Sequence, residues 1–223
     1  MTARGSGWLV VFDCDGVLVD SERLNVQTWT AMMLDAGVDF TEDDAVQTFV
    51  GKAYADNRAT IAELTGAVPD PEWERRWREE FKRSHERIEP IEGAREAVLA
   101  VRDVGHDVCV ASGSIWRAIG SKLTATGLVD LFPEEARFSA ERVEHGKPAP
   151  DVFLAAAQAM GYSPERCVVV EDSKAGVDAA RAAGMKVVGY LSNLTPDHWL
   201  DDTEAVIDDM ADLPSVISRL TCT

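Results

Sequence analysis

Two carboxylates stand one residue apart where an apolar run of the sequence ends. The run is WLVVF at residues 8–12, and Asp13, Cys14, Asp15 and Gly16 follow it. Side chains at positions i and i+2 leave a strand on the same side, so the two acids are expected to face one point. Like charges so placed repel each other unless a cation lies among them, and a hard, oxygen-binding ion such as Mg²⁺ suits them. An aspartate at such a site is also a known nucleophile toward phosphorus.

Polar residues also end two further apolar runs. Ser112 closes DVCVAS, and Glu171 and Asp172 close CVVVED. In an open parallel sheet, ligands bind outside the carboxyl ends of the strands, so all these side chains are expected at one rim with Asp13 and Asp15. Each residue alone also fits an ordinary role as a turn former or helix N-cap. The convergence of three strands favours a functional site.

Strands and helices alternate through most of the chain. Continuous β-branched runs, typical of a parallel sheet buried on both faces, predict strands, and amphipathic segments ending before a glycine predict helices. The predicted strands are 8–13, 107–111, 167–172 and 186–190, and the helices between them are 94–104, 114–126, 150–160 and 174–183. This alternation predicts an α/β fold with a doubly wound parallel sheet.

The alternation stops between about residues 21 and 90, where only helical patterns occur. They cover 22–36, 42–49, 54–65 and 71–88. In the last of them Trp73, Trp77 and Phe81 recur every fourth residue, which predicts an apolar face that packs in a core. We therefore predict an all-helical domain at 21–90, inserted into a core domain formed by 1–20 and 91–223.

Composition excludes several classes of partner. The chain has 22 Lys and Arg against 39 Asp and Glu, a formal net charge of −17, which argues against binding to nucleic acid or to an anionic membrane. No run reaches the length of a membrane span, and the N-terminus lacks a secretion signal, so a cytoplasmic protein is expected. The four cysteines have no metal-like spacing and are expected to be buried free thiols.

Four motifs in order resemble those of the haloacid dehalogenase superfamily in its phosphatase form. They are DCDGVLVD at 13–20, VCVAS at 108–112, GKPAPD at 146–151 and VVVEDSKAG at 168–176. Their order and spacing match the family across nearly the whole chain. The resemblance implies a Rossmann-like core, an inserted helical cap domain that closes over the site, and a Mg²⁺-dependent enzyme. The second aspartate of the first motif argues against the dehalogenase branch.

The resemblance also implies a role for each motif residue. Asp13 is expected to be the nucleophile and Asp15 the general acid and base, with Lys147 neutralising charge on Asp13 and the phosphate. The predicted metal site consists of Asp13, the backbone carbonyl of Asp15, Asp172, and Glu171 either as a ligand or one shell out. The predicted phosphate-binding residues are Ser112, Gly113 and Ser114.

The resemblance implies that a loop of the cap domain, within FVGKAYADN at 49–57, selects the substrate. The candidate substrate-binding residues in this loop are Gly51, Lys52 and Tyr54. An ordinary helix–helix turn explains the same residues equally well. The expected activity is hydrolysis of a small phosphorylated metabolite, a sugar phosphate or an organic acid phosphate. A β-phosphoglucomutase-like mutase using the same aspartate and a catalytically silent binding protein remain as alternatives. The sequence leaves the substrate and the oligomeric state open.

Overall fold

A computed structural model describes residues 7–50 and 54–222 of the chain. The chain divides into two compact units, one formed by Met1–Val19 with Glu89–Thr223 and the other by Asp20–Ile88. The domains predicted from the sequence were 1–20 with 91–223, and 21–90.

The first unit contains a six-stranded sheet in the order β3-β2-β1-β4-β5-β6. All neighbouring strands are parallel. The strands are β1 Leu9–Phe12, β2 Asp107–Ser112, β3 Arg137–Ser139, β4 Cys167–Glu171, β5 Lys186–Tyr190 and β6 Ala205–Ile207. The chain runs outward from β1 in both directions, which is the doubly wound arrangement, and the predicted fold class is confirmed.

The described residues form α-helices in both units. Those of the helical unit are α1 Ser21–Asp35, α2 Glu42–Phe49, α3 Tyr54–Thr65 and α4 Pro71–Ser84. Those of the first unit are α5 Ala94–Asp103, α6 Trp116–Ala125, α7 Asp151–Met160, α8 Lys174–Ala182 and α9 Leu213–Thr221. Gly105, Gly127, Gly161 and Gly184 follow α5 to α8 with positive φ, as their predicted role as helix stops requires.

Helices α7 and α8 pack on one face of the sheet. Leu9 and Val11 of β1 are fully buried there with Val169 of β4, Phe153 of α7 and Val177 of α8. The alternate residues Val10 and Phe12 project to the other face and are fully buried as well, which is why β1 is apolar at every position rather than at every second one. Water is therefore excluded from these side chains, and the polar residues stand at the ends of the strands.

Aromatic residues form the core of the helical unit. The ring of Trp29 stacks on Phe49 at 4.6 Å and meets Phe81 edge-on at 4.5 Å. The predicted apolar face of α4 is only partly core, because the indole N–H groups of Trp73 and Trp77 both donate to Asp35 at the surface. A capping box at Thr41 begins α2, and Asp70 caps α4.

Two strands and one α-helix of the described residues were not predicted from the sequence. Strands β3 and β6 are three residues long at the two edges of the sheet, and α9 is the last helix. Edge strands are only half covered, so they lack the long apolar run that identified the inner strands. Helix α4 also ends earlier than predicted, at Ser84, and a 3₁₀ turn follows over His85–Arg87.

The described cysteines are free. Cys14, Cys109 and Cys167 are buried as expected, but Cys222 is exposed because it follows the last turn of α9 at the surface. No helix within 7–50 or 54–222 is long and apolar enough to cross a membrane.

Replacing Leu9 with Ala tests the packing of the central strand. Leu9 is fully buried, so we expect the free energy of unfolding to fall by about 2–5 kcal/mol, as for other buried leucines. Urea denaturation followed by circular dichroism measures this loss. Leu99→Ala in α5 is the matched control, because Leu99 is 40% exposed and its truncation should cost far less. Equal losses in the two variants would contradict the described core.

Candidate active site

The first motif forms a tight turn at the end of β1. The backbone N–H of Asp13 still pairs with the Val170 carbonyl of β4 at 3.0 Å, so Asp13 continues the strand. Gly16 then turns the chain with φ 78°, and its N–H donates to the Val19 carbonyl at 2.9 Å. A left-handed φ favours glycine, which explains the glycine that follows the two acids.

Lys147 joins Asp13 to Glu171. Its ammonium donates to Asp13 Oδ1 and to Glu171 Oε1, both at 2.5 Å, and lies 4.7 Å from the centre of the Phe153 ring. All three charged side chains are at most 10% exposed. A buried carboxylate is costly unless it is paired, so one lysine here compensates two acids from neighbouring strands.

Burial has the largest single effect on the pKa values of Asp13 and Lys147. It raises the pKa of Asp13 to about 7, against the lowering effect of Lys147, and the charges of Glu171 and Asp15 raise it further. Burial lowers the pKa of Lys147, but the carboxylates of Asp13 and Glu171 more than reverse this and raise it above its usual value. Lys147 is therefore a permanent cation at this position.

The other oxygen of Glu171 is also engaged. Glu171 Oε2 accepts hydrogen bonds from the N–H groups of Asp172 and Ser173 and from the Ser173 hydroxyl, each at 2.9 Å. Helix α8 begins here, and Gly176 packs against the Glu171 carboxylate. Both Glu171 oxygens thus have protein donors, an arrangement that fits a residue positioning Lys147 and the start of α8.

Asp15 is held by a second lysine, which is not among the site residues predicted from the sequence. Lys122 of α6 donates to Asp15 Oδ1 at 2.5 Å, and the Ser114 hydroxyl donates to Asp15 Oδ2 at 2.8 Å. The Ser112 hydroxyl lies 3.5 Å from the same oxygen. The two aspartates of the motif therefore meet different ammonium groups, Asp13 that of Lys147 and Asp15 that of Lys122.

A signal for Lys122 is present in the sequence but is weak. Helix α6 buries Ile119, Lys122 and Leu123, which is the i, i+3, i+4 spacing of a core-facing stripe. A lysine within such a stripe must have a partner, because an unpaired buried ammonium is too costly. The sequence alone gives no indication of which acid that partner is.

The loop after β2 folds on itself. Ser112 Oγ accepts a hydrogen bond from the Ser114 N–H at 3.0 Å, and the Ser139 hydroxyl donates to the Ser114 carbonyl at 2.7 Å. Gly113 between them is exposed, with open space where a side chain would be. The three predicted phosphate-binding residues thus lie together, and Gly113 presents its backbone to solvent.

The residues present fit a hard cation. Asp172 is buried and packs directly on the turn of the first motif, since a Cβ added at Gly16 would lie 2.0 Å from Asp172 Oδ2. Within the described ranges no three His, Cys, Asp or Glu side chains gather as a metal cluster. The implied ligand set needs only two carboxylates, Asp13 and Asp172, with the Asp15 carbonyl, and oxygen donors of this kind suit Mg²⁺.

The predicted cap-loop residues are not all described. Gly51 and Lys52 lie outside the described residues, and so does the side chain of Tyr54, although Tyr54 begins α3. Their proposed contact with substrate remains a prediction.

Comparison with known proteins decides the family. The family model described as haloacid dehalogenase-like hydrolase matches residues 9–184. The chain belongs to this family. The match covers all four motifs that carried the resemblance, and the predicted family is confirmed.

Relatives extend the similarity beyond the motifs. Fructose-1-phosphate phosphatase YqaB of Escherichia coli is 33% identical over 184 residues, which is 80% of this chain and 94% of that protein. Suppressor of quenching 1 of Arabidopsis thaliana is 36% identical over 93% of this chain, which spans only 19% of that longer protein. The predicted enzyme class, a phosphoric monoester hydrolase, agrees with the activity named for the bacterial relative.

A solved structure shows the same fold. The haloacid dehalogenase family hydrolase of Deinococcus radiodurans, determined with bound phosphate and sodium, has a TM-score of 0.81 and 30% identity over 96% of both chains.

Replacing Gly176 with Ala tests whether the Glu171 carboxylate is held in place by its packing against Gly176. A Cβ at this position would lie 1.7 Å from Glu171 Oε1, so the carboxylate must move and Lys147 loses a partner. We expect a loss of about 3 kcal/mol in unfolding free energy, the lower end for a broken buried ion pair.

Gly120→Ala in α6 is the matched control for Gly176→Ala. Its Cβ would meet only the end of the Arg137 side chain, at 3.3 Å, and alanine favours a helix by about 1 kcal/mol over glycine. Thermal unfolding of both variants measures the difference. A Gly176→Ala protein as stable as Gly120→Ala would show that Glu171 is not confined as described.

Proposed function

We propose that this protein is a Mg²⁺-dependent phosphatase that hydrolyses a small phosphorylated metabolite through a phosphorylated Asp13. One observation carries the proposal: Asp13 and Asp15 leave the central strand together, and each is paired with its own buried lysine. A nucleophile and a proton donor one residue apart suit an in-line displacement, because they can serve the two opposite groups on phosphorus.

The first half-reaction transfers the phosphoryl group to the protein. An oxygen of the Asp13 carboxylate forms a bond to phosphorus while the bond from phosphorus to the substrate oxygen breaks. The electron pair of that bond stays on the leaving oxygen, which takes a proton from the Asp15 carboxyl group. An alcohol and an acyl phosphate on Asp13 result.

The second half-reaction restores the enzyme. Asp15, now a carboxylate, accepts a proton from water as the water oxygen attacks the phosphorus of the acyl phosphate. The bond between phosphorus and the Asp13 oxygen breaks, and inorganic phosphate leaves. Asp13 is again a carboxylate, and Asp15 again holds a proton for the next substrate.

The remaining groups stabilise the negative charge that the phosphoryl group carries in both half-reactions. Lys147 remains against Asp13 as a fixed cation and offsets the negative charge that gathers where the phosphoryl group is transferred. The exposed backbone of Gly113, between Ser112 and Ser114, is suited to donate to phosphoryl oxygens. A Mg²⁺ ion held by Asp13, Asp172 and the Asp15 carbonyl would supply electrostatic stabilisation of the phosphoryl group.

The substrate class follows from chemistry and from a relative. Fructose 1-phosphate is the substrate named for the Escherichia coli relative, and it is a primary alkyl phosphate. We propose a sugar phosphate or organic acid phosphate as substrate here. We further propose that the helical unit, predicted as residues 21–90, selects it.

Replacing Asp13 with Asn tests the nucleophile. The amide cannot form an acyl phosphate, so we expect phosphate release to fall by roughly 10⁴-fold or more, as on loss of other catalytic nucleophiles. The assay is release of inorganic phosphate from fructose 1-phosphate, other sugar phosphates and p-nitrophenyl phosphate with Mg²⁺. Asp130→Asn, an exposed aspartate paired with Arg95, is the control and should retain wild-type turnover.

Two outcomes of this assay speak against the proposal. Undiminished turnover in Asp13→Asn removes the proposed nucleophile. Conversion of a sugar phosphate to an isomer without phosphate release points to the mutase instead.

The pH dependence of Mg²⁺ binding tests the metal site. Because the pKa of Asp13 is raised to about 7, this carboxyl group holds a proton below that pH, and a metal ion must displace it. We expect the Mg²⁺ dissociation constant to rise about tenfold per pH unit below pH 7 and to level off above it. Calorimetric titrations between pH 5.5 and 8.5 measure this, and EDTA should abolish activity. A dissociation constant independent of pH would argue against Asp13 as a ligand.

A further inference from the structure

Lys122 is a buried lysine that takes no part in the bond-making and bond-breaking steps of the proposed reaction. It is 8% exposed and lies on the inner face of α6 beside Ile119 and Leu123, both fully buried. Its ammonium donates to Asp15 Oδ1 at 2.5 Å and to the Ser114 hydroxyl at 2.9 Å. A lysine loses hydration in such a place, so these contacts must be maintained for it to stay there.

The contacts of Lys122 belong to a closed triangle. The Ser114 hydroxyl accepts from Lys122 and donates to Asp15 Oδ2 at 2.8 Å. Ser114 is itself fixed by its backbone, because its N–H donates to Ser112 Oγ and its carbonyl accepts from Ser139. The two oxygens of Asp15 are thus held from two sides, and one orientation of its carboxyl group is selected.

The triangle is separate from the Lys147 pairing. Lys147 joins Asp13 to Glu171 across β1 and β4, whereas Lys122 reaches Asp15 from α6, the helix that follows β2. Lysine suits this second position because a compact ammonium with three donors can hold a carboxylate and a hydroxyl at once.

We propose that Lys122 is a positioning residue for proton transfer, acting through Asp15. This inference rests on the proposed function, in which Asp15 protonates the leaving oxygen. Lys122 neither touches the substrate nor carries the transferred proton. It holds the Asp15 carboxyl group at the place from which the proton is delivered, and Ser114 holds the second oxygen.

The proposal predicts a loss that depends on the leaving group. A misplaced Asp15 carboxyl group lowers kcat/KM most for a substrate whose leaving oxygen is a strong base and must be protonated as it departs. The loss is smallest for a substrate whose leaving oxygen departs readily as an anion. Phenyl phosphate and p-nitrophenyl phosphate differ in this respect, since phenolate is the poorer leaving group, while their overall shapes are similar. Their kcat/KM values report the first half-reaction, in which the alcohol or phenol leaves.

The experiment compares the wild-type protein with Lys122→Met, Lys122→Arg and Ser114→Ala on both esters with Mg²⁺. We expect Lys122→Met to lose about 10²-fold in kcat/KM on phenyl phosphate, the effect of a catalytic group misplaced by about 1 Å, and several-fold less on p-nitrophenyl phosphate. Arginine should recover part of the loss on phenyl phosphate. Ser114→Ala, a milder change, should show the same selectivity with a smaller loss.

Lys186→Met controls for stability. Lys186 begins β5 at the opposite end of the sheet, where its ammonium donates to the Leu220 carbonyl at 2.5 Å. The Lys186→Met variant should be less stable to heat than the wild-type protein. The ratio of its kcat/KM on phenyl phosphate to that on p-nitrophenyl phosphate should stay unchanged. Thermal unfolding of every variant identifies those that fail to fold, and Ser114→Ala then tests the triangle without removing a buried charge.

The outcomes separate this inference from the function on which it rests. Equal losses on the two esters in Lys122→Met and Ser114→Ala, or no loss at all, overturn the positioning role while the phosphatase stands. A wild-type protein that releases no phosphate, or an Asp13→Asn variant as active as wild type, overturns the proposed function and with it the role of Asp15.

Discussion

The structure depends on compensation of buried charge at the carboxyl ends of β1 and β4. Asp13, Glu171 and Asp172 are all buried, and each would cost several kcal/mol if its charge were left unpaired. The fold supplies cations from distant parts of the chain: Lys147, from the loop before α7, pairs with Asp13 and Glu171, and Lys122, from α6, pairs with the neighbouring Asp15. Because β1 lies between β2 and β4, both lysines can reach the carboxylates that follow β1, each a different one.

The inner sheet could be predicted from the sequence because it is buried on both faces. Strands β1, β2, β4 and β5 are short runs of mainly apolar residues. Runs this short do not suit a helix, so each of them predicts a buried strand. The edge strands β3 and β6 are different, since a segment such as Arg137–Ser139 has one apolar side chain and is a strand only because β2 offers a partner. The half-buried position of Trp73 and Trp77 could not be predicted either, because it depends on an acid, Asp35, on another helix.

Much of the candidate site could also be predicted from the sequence, because it depends on where the buried strands end. Residues that end buried parallel strands must lie at one rim, so Asp13, Ser112 and Asp172 could be placed together from strand positions alone, and the motif resemblance added Lys147. Lys122 lies in the middle of a helix, where its partner is fixed by how α6 packs on the sheet, and no local pattern encodes that. The position of Glu171 as ligand or neighbour was left open, and its contacts with Lys147 and Ser173 now favour the neighbour.

The charge balance links the raised pKa of Asp13 to the proposed ion. With every group ionised, the four carboxylates of Asp13, Asp15, Glu171 and Asp172 exceed the two ammonium groups of Lys122 and Lys147 by two charges. Without a further cation, burial first and then the charges of Glu171 and Asp15 favour a proton on Asp13, and its pKa rises to about 7. A divalent cation would cancel the excess and leave Asp13 ionised, which is the form a nucleophile needs. The same imbalance that disfavours the ionised aspartate thus provides the affinity for the ion that would activate it.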